Sequence, residues 1–293
     1  MMMTFENFKK KLVKEVQEAL GDKRKVCVTV ICKNNQTEKE VLTFEGNPSG
    51  CTPAIHLSDL YKQLQAGITV EMCRDEVLAI VNRNPIVNVS KITDNWDEIK
   101  ERIFPVLVNK QWNEQRLENL VHMDFLNFAV MLKYYVDDIP AGKGSINVSH
   151  ELMEAWGIDE HVLWKTAAEK LENEEFTIMD LEDIVMREFG TEFQSDRSGA
   201  LYILTNKGAL NGAAAMLRTD ILISFAESIG KNFYILPSSI HELILLPDHG
   251  NYRVAELQDM VKTVNLTTVA EEERLSDDIY YFNRKYGRVE LIS

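Results

Sequence analysis

The densest group of side chains that could take part in catalysis lies in one short stretch, Ser238, Ser239, His241 and Glu242. A serine nucleophile needs a histidine base within hydrogen-bond reach and an acid that orients the base. In a strand Ser239 and His241 share a face, whereas Glu242 points away. Residues i and i+2 of a flat strand lie about 6.5–7 Å apart, too far for that hydrogen bond without a bend. The Gly-x-Ser-x-Gly surround of a nucleophile elbow does not occur here either.

We therefore predict a non-enzymatic binding or regulatory module of otherwise unknown function. Its predicted binding surface uses strand-edge hydrogen bonds and polar side chains from Leu236, Pro237, Ser238, Ser239, His241 and Glu242. The alternative is a small hydrolase that uses His241 with Ser239 or Glu242. A concave pocket holding these groups and another acid would favour the hydrolase, whereas side chains splayed over a flat sheet would favour binding. A purely structural or assembly role is a third possibility.

We predict no metal site and no other cofactor. The four cysteines include no Cys-x-x-Cys pair, and the six histidines include no pair at the i, i+4 spacing of a helical zinc motif. We interpret the cysteines as ordinary buried thiols. They are Cys27, Cys32, Cys51 and Cys73.

The overall charge limits the classes of partner. The 293-residue chain has a formal net charge of −14, with 45% hydrophobic and 27% charged residues. This composition is typical of a globular protein, and the acidity argues against general nucleic-acid binding and against an anionic membrane surface. Lysines interrupt the place where a signal peptide would be apolar. The sequence thus predicts a cytoplasmic protein with an unknown protein or small-molecule partner and no membrane contact.

The N-terminal portion, 1–140, predicts a helix, a hairpin and several short helices. Apolar residues recur at helical spacing from Phe5 to Ala19, between a possible Thr4 cap and Gly21. Lys25 to Ile31 and Glu40 to Phe44 predict the hairpin. Further on, Ile103 to Val108 predicts an edge strand because of Pro105, and Asp124 to Val136 favours a strand. Asp137 to Ser145 is the best linker candidate.

The remaining chain predicts an α+β fold with a helical middle and an antiparallel C-terminal sheet. The helical segment 141–195 contains a helical stretch from Ser149 to about Phe189. The portion 196–293 shows short strands separated by two helices, and its short connections favour antiparallel neighbours. The predicted strands are Leu201–Leu204, Ala213–Leu217, Phe233–Leu236, Ile240–Leu246, Ile279–Phe282 and Val289–Ile292, and the helices Asp220–Ile229 and Val254–Val264.

Several phrases have the character of a family signature. They are FPVLVN within Arg102 to Asn109, YILTNK from Tyr202 to Lys207, LPSSIHE from Leu236 to Glu242, and DIYYF from Asp278 to Phe282. Together they resemble a bacterial family of unknown function, whose members have a similar length and come from anaerobic Gram-positive gut bacteria. The resemblance covers the chain from about Ile99 onward. It implies a bacterial cytosolic origin and transfers no activity, ligand or catalytic residue.

Overall fold

The computed structural model describes residues 3–45, 50–51, 54–83, 87–88, 96–136, 144–189, 200–237 and 239–292. The chain divides into two compact units. Unit 1 comprises Met1–Arg102, Tyr134–Ile146 and Ala155–Gly157, and unit 2 comprises Ile103–Lys133, Asn147–Glu154 and Ile158–Ser293. The division into 1–140, 141–195 and 196–293 stays a prediction.

Unit 1 begins with an amphipathic helix, α1 (Phe5–Leu20), and a hairpin of β1 (Lys25–Cys32) and β2 (Glu38–Glu45), as predicted. The Thr4 hydroxyl accepts the Asn7 backbone N–H at 3.4 Å, and Gly21 ends α1 at a positive φ of 59°. Helix α1 buries Phe8, Leu12 and Val16. The following elements are β3 (Gly50–Cys51), β4 (Ile55–His56), α2 (Leu57–Gln65), α3 (Val70–Arg83), β5 (Val87–Asn88) and α4 (Trp96–Ile99).

The sheet of unit 1 has the order β1-β2-β4 and is antiparallel, with Val28 opposite Leu42. Its apolar core joins side chains of α1, α2 and α3 to one face of the hairpin. The cysteines differ in exposure: Cys73 is buried in this core, Cys27 is half-buried and Cys32 is exposed, so the prediction of buried thiols is wrong for Cys32. Burial raises the pKa of the Cys73 thiol above its ordinary value.

The chain continues with two further groups of elements. The first contains β6 (Ile103–Asn109), α5 (Glu114–Leu117), β7 (His122–Phe125), β8 (Phe128–Val136), β9 (Gly144–Asn147), α6 (His150–Ala155) and α7 (Glu160–Asn173). The second contains β10 (Phe176–Asp180), α8 (Leu181–Phe189), β11 (Tyr202–Asn206), α9 (Thr219–Ile229), β12 (Phe233–Leu236), β13 (Leu243–Pro247), α10 (Val254–Thr267), β14 (Tyr280–Asn283) and β15 (Arg288–Leu291).

A six-stranded antiparallel sheet organises unit 2, in the order β10-β11-β13-β12-β14-β15. It confirms the predicted antiparallel C-terminal sheet and the α+β class. A second sheet has the order β6-β8-β7 among the described residues, with the Pro105 strand at an edge. The single strand predicted over Asp124 to Val136 is instead two strands, because the chain turns after Phe125 and β7 pairs with β8. One large apolar cluster lies on the six-stranded sheet and contains Leu204, Phe233, Ile235, Leu245 and Phe282.

Three further predicted elements differ from the structure. The predicted strand Ala213–Leu217 is a 3-10 helix over Gly212–Leu217, because a short apolar run does not by itself distinguish the two. The predicted helical stretch is interrupted by β10. The acidic residues around β10 have the pattern of a solvated helix face, although Phe176 and Ile178 alternate with exposed residues as in a strand. The strand predicted to begin at Ile240 begins at Leu243.

The predicted linker lies mostly outside the described residues. Positions 137–143 are not described, and Gly144 and Ser145 belong to β9, which pairs with β8.

Candidate functional site

The predicted site segment connects β12 to β13. Leu236 ends β12, and the following residues form a bend in which Ser239 makes an isolated antiparallel bridge to Arg274. Ser238 lies outside the described residues. Leu236, Pro237 and Ser239 are buried, and Ser239 is only 4% exposed, whereas His241 and Glu242 are half-buried. Most of this segment is therefore inside unit 2.

The side chains of Ser239 and His241 contact different partners. The Ser239 hydroxyl oxygen accepts the His241 backbone N–H at 3.0 Å. The His241 ring accepts the Asn211 backbone N–H at Nδ1, at 3.1 Å, and its Nε2 lies 3.5 Å from Glu273 Oε1. Since a backbone N–H can only donate, this geometry fixes the ring as the tautomer that carries its proton on Nε2. Both ring nitrogens thus face groups other than the Ser239 hydroxyl.

Backbone groups of the same bend form hydrogen bonds with three neighbouring segments of unit 2. The His241 carbonyl accepts the Thr205 hydroxyl at 2.8 Å. The Ile240 carbonyl accepts the Ala213 N–H at 3.2 Å, and the Ile240 N–H donates to the Glu273 carbonyl at 2.8 Å. These bonds join β11, the 3-10 helix and the segment before β14 through one bend. The geometry therefore gives the bend a structural role.

Replacing His241 with alanine is expected to lower the free energy of unfolding of unit 2 by about 1–2 kcal/mol, since the Asn211 N–H loses its acceptor at a partly buried position. Urea unfolding of the full chain measures this change. The control is His161→Ala, whose side chain is exposed on α7 and which is expected to change stability by less than about 0.5 kcal/mol. Equal stability of the two variants would contradict the structural role of His241.

A second polar cluster lies at the start of β14 and consists of Asn127, Asn265, Ser276, Asp278 and Tyr280. Asn127 donates to Asp278 at 2.7 Å, and the Tyr280 hydroxyl donates to Asn127 Oδ1. The Ser276 hydroxyl lies 3.2 Å from the Tyr280 hydroxyl and accepts the Asp278 N–H at 3.0 Å. Asn265 donates to the Ser276 carbonyl at 3.0 Å. These groups largely satisfy one another, as buried polar networks in stable folds do.

The tyrosines of β14 are protonated donors at neutral pH. Burial raises the pKa of Tyr280 above its ordinary value. Burial, followed by the hydrogen bond to Asp248, raises the pKa of Tyr281 to about 12, and its hydroxyl donates to Asp248 Oδ2 at 2.7 Å. Neither tyrosine is therefore prepared to act as a base, and both anchor the strand.

The open edge of the unit 1 sheet is a different kind of site. In the described part of the chain β1 pairs with β2 alone, so its other edge has no strand neighbour. The Val26 N–H donates to the Gln17 side chain at 2.8 Å and thus points away from β2. Because the backbone groups of a strand alternate in direction, the N–H and C=O groups of Val28 and Val30 also point to the open edge. Val28 is 42% exposed and Val30 is 55% exposed.

A groove runs beside this edge, between β1 and helix α1, with a volume of about 540 Å³. Gln17 closes one end, because it also donates to the Gly21 and Arg24 carbonyls at 2.9 Å each. We call this site the α1–β1 groove. Its lining residues are Glu6, Lys9, Lys10, Val13, Lys14, Gln17, Glu18 and Val28. The β1 pattern predicted a strand, but no sequence signal indicated which of its edges stays open.

Among the residues that the structure describes, no three His, Cys, Asp or Glu side chains are grouped so as to hold a metal ion. Within those same ranges, no helix has the length and apolar character needed to cross a membrane.

The fold and its sites define an antiparallel α+β protein in which Ser239 and His241 form hydrogen bonds within unit 2. The chain belongs to the family of unknown function DUF5688, whose family model matches residues 5–284. This match confirms the resemblance to a family of unknown function and extends it to the N-terminal helix and hairpin. No curated protein and no solved structure matched the chain.

Proposed function

We propose that this protein is a non-enzymatic binding module that takes up an extended segment of a partner as an added strand on β1. The observation that carries the proposal is the outward direction of the Val28 and Val30 backbone groups beside the α1–β1 groove. Strand addition supplies main-chain hydrogen bonds for affinity, and a neighbouring groove for alternate side chains supplies selectivity.

The composition of β1 supports a strand as the occupant. Between Lys25 and Lys33 the chain has no charged residue, no proline and no glycine, and five of its seven residues are β-branched Val, Thr or Ile, at positions 26 and 28–31. Natural edge strands that stay unpaired are usually protected by charges, proline or bulges. An exposed, uncharged edge of this kind is a template for another strand.

The hydrolase alternative has less support. It needs His241 to serve Ser239 or Glu242, yet the His241 ring is directed to Asn211 and Glu273. The surface predicted around Leu236–Glu242 is also less suited to strand addition than β1, because the backbone groups of Ile240 already have partners within unit 2. The proposed protein is bacterial and cytoplasmic. The free thiols of Cys27, Cys32 and Cys73 support the cytoplasmic location, because thiols stay reduced in the cytoplasm.

The test is a display library of random peptides selected on the wild-type protein and on a Val28→Pro variant. Proline removes the outward N–H of Val28 and leaves the β2 ladder intact, which edge strands tolerate. Peptides enriched on the wild type are expected to bind the variant at least about tenfold more weakly. The matched control is Val28→Thr, which keeps the N–H and is expected to bind normally.

A second measurement does not depend on whether the Val28→Pro variant folds correctly. Hydrogen exchange on the wild type should show that an enriched peptide slows exchange at the Val28 and Val30 amides. A library that yields no peptide with this protection, or peptides that bind Val28→Pro as well as the wild type, would overturn the proposed function.

A further inference from the structure

We infer that the strand which binds the α1–β1 groove is acidic, with carboxylate side chains on either side of an apolar residue that faces helix α1. This inference rests on the proposed function and names the chemistry of its partner. It comes from the charges that line the groove, which differ in sign from the chain as a whole, whose formal net charge is −14.

The apolar position follows from the groove floor. Val13 of α1 and Val28 of β1 both line the groove, and no acidic residue occurs between Lys25 and Lys33. A strand paired with Val28 places every second side chain on the helix side of the sheet. The central one of these side chains therefore lies beside Val13 and Val28, where an apolar group is favoured.

The carboxylate positions follow from the lysines of α1. Lys9 is already held by Glu6 at 2.8 Å and by Glu40 at 2.7 Å. Lys14 lies 3.8 Å from Glu18, and both of these side chains are largely exposed, so that pair is loose. Lys10 is exposed and has no ion-pair partner among the described residues. Lys10 and Lys14 are therefore the cations available to a ligand.

The same lysines argue against a second copy of this chain as the occupant. An antiparallel pairing of two β1 strands would bring two copies of Lys10 and Lys14 to one seam, where like charges repel. An acidic strand meets the opposite sign at the same seam. Charge complementarity thus selects the acidic partner.

The experiment uses three blocked heptapeptides, in which threonine alternates with helix-side residues. In the acidic peptide the helix-side residues are glutamate, valine and glutamate. The second peptide has glutamine in place of both glutamates, and the third has lysine in place of both. Wild-type protein is expected to bind the acidic peptide about threefold to tenfold more tightly than the glutamine peptide, and the lysine peptide least. The preference is expected to shrink in 1 M salt, where the screening length falls to about 3 Å.

A charge-swapped protein provides the matched control. The double variant Lys10→Glu with Lys14→Glu is expected to prefer the lysine peptide, whereas Lys62→Glu with Lys207→Glu, at two exposed lysines outside the groove, is expected to behave as the wild type. Amide protection at Val28 and Val30 reports binding independently of charge.

The outcomes separate this inference from the function on which it rests. Equal binding of all three peptides, with protection at Val28 and Val30, would overturn the acidic partner and leave strand addition standing. Protection by none of them, together with a β1-mediated dimer in light scattering, would overturn both.

Discussion

Replacing Gly212 with alanine is expected to lower the free energy of unfolding of unit 2 by about 3 kcal/mol, the largest effect of an added methyl group that the structure indicates. A Cβ atom at this position would lie 2.4 Å from Thr205 Oγ1, 2.5 Å from the His241 carbonyl oxygen and 2.8 Å from the Asn206 nitrogen. Two of these atoms are backbone, and the third holds the His241 carbonyl by a hydrogen bond. The bend and β11 must therefore separate to admit the methyl group.

The control for this substitution is Gly230→Ala at the end of α9. A Cβ atom there meets no heavy atom within 4 Å among the described residues, but the backbone has a positive φ of 69°. Its expected cost is about 1–2 kcal/mol, from backbone strain alone. Urea unfolding of both variants measures the difference. A Gly212→Ala protein as stable as Gly230→Ala would show that the close packing around the bend is not as described.

Tyr280→Ala is expected to destabilise unit 2 by about 3–5 kcal/mol, because it removes a large, fully buried ring. The Tyr280 ring stacks on Phe128 with centroids 4.9 Å apart, and both lie in the main apolar cluster of unit 2. Its hydroxyl also joins Asn127 to Ser276. Thermal and urea unfolding of the full chain measure the loss.

Tyr280→Phe separates the ring from the hydroxyl. Phenylalanine keeps the stacking on Phe128 but leaves Asn127 and Ser276 without one partner each, so the expected cost is about 1–3 kcal/mol. A phenylalanine variant as unstable as the alanine variant would assign the stabilisation to the polar cluster. A phenylalanine variant as stable as the wild type would assign it to ring packing alone.

Local patterns allowed much of the fold to be predicted. The spacing of Phe8, Leu12 and Val16 and the alternation of β1 specify their elements without reference to the rest of the chain. The 3-10 helix at Gly212–Leu217 could not be predicted in this way. Its five buried residues follow one another without polar residues between them, so the sequence shows no helical period. Strand β10 was missed since its pairing with β11 is a tertiary contact.

The site could be predicted only in part, for a related reason. The sequence places His241 near Ser239, but the groups that bind the His241 ring come from Asn211 and Glu273, about thirty positions away on either side. The partner of Tyr280, Asn127, is more distant still. The open edge of β1 is likewise a property of the sheet order, which no single segment specifies.

Under the proposed strand addition, Gln17 limits how much of a partner sequence this protein can discriminate. Because its amide already occupies the Val26 N–H, a docked segment reaches full pairing only from Val28 toward Cys32. A paired segment this short contacts few side chains of the added strand. Under the proposed function, recognition at this edge is therefore expected to be weak and tolerant of sequence changes in the added strand.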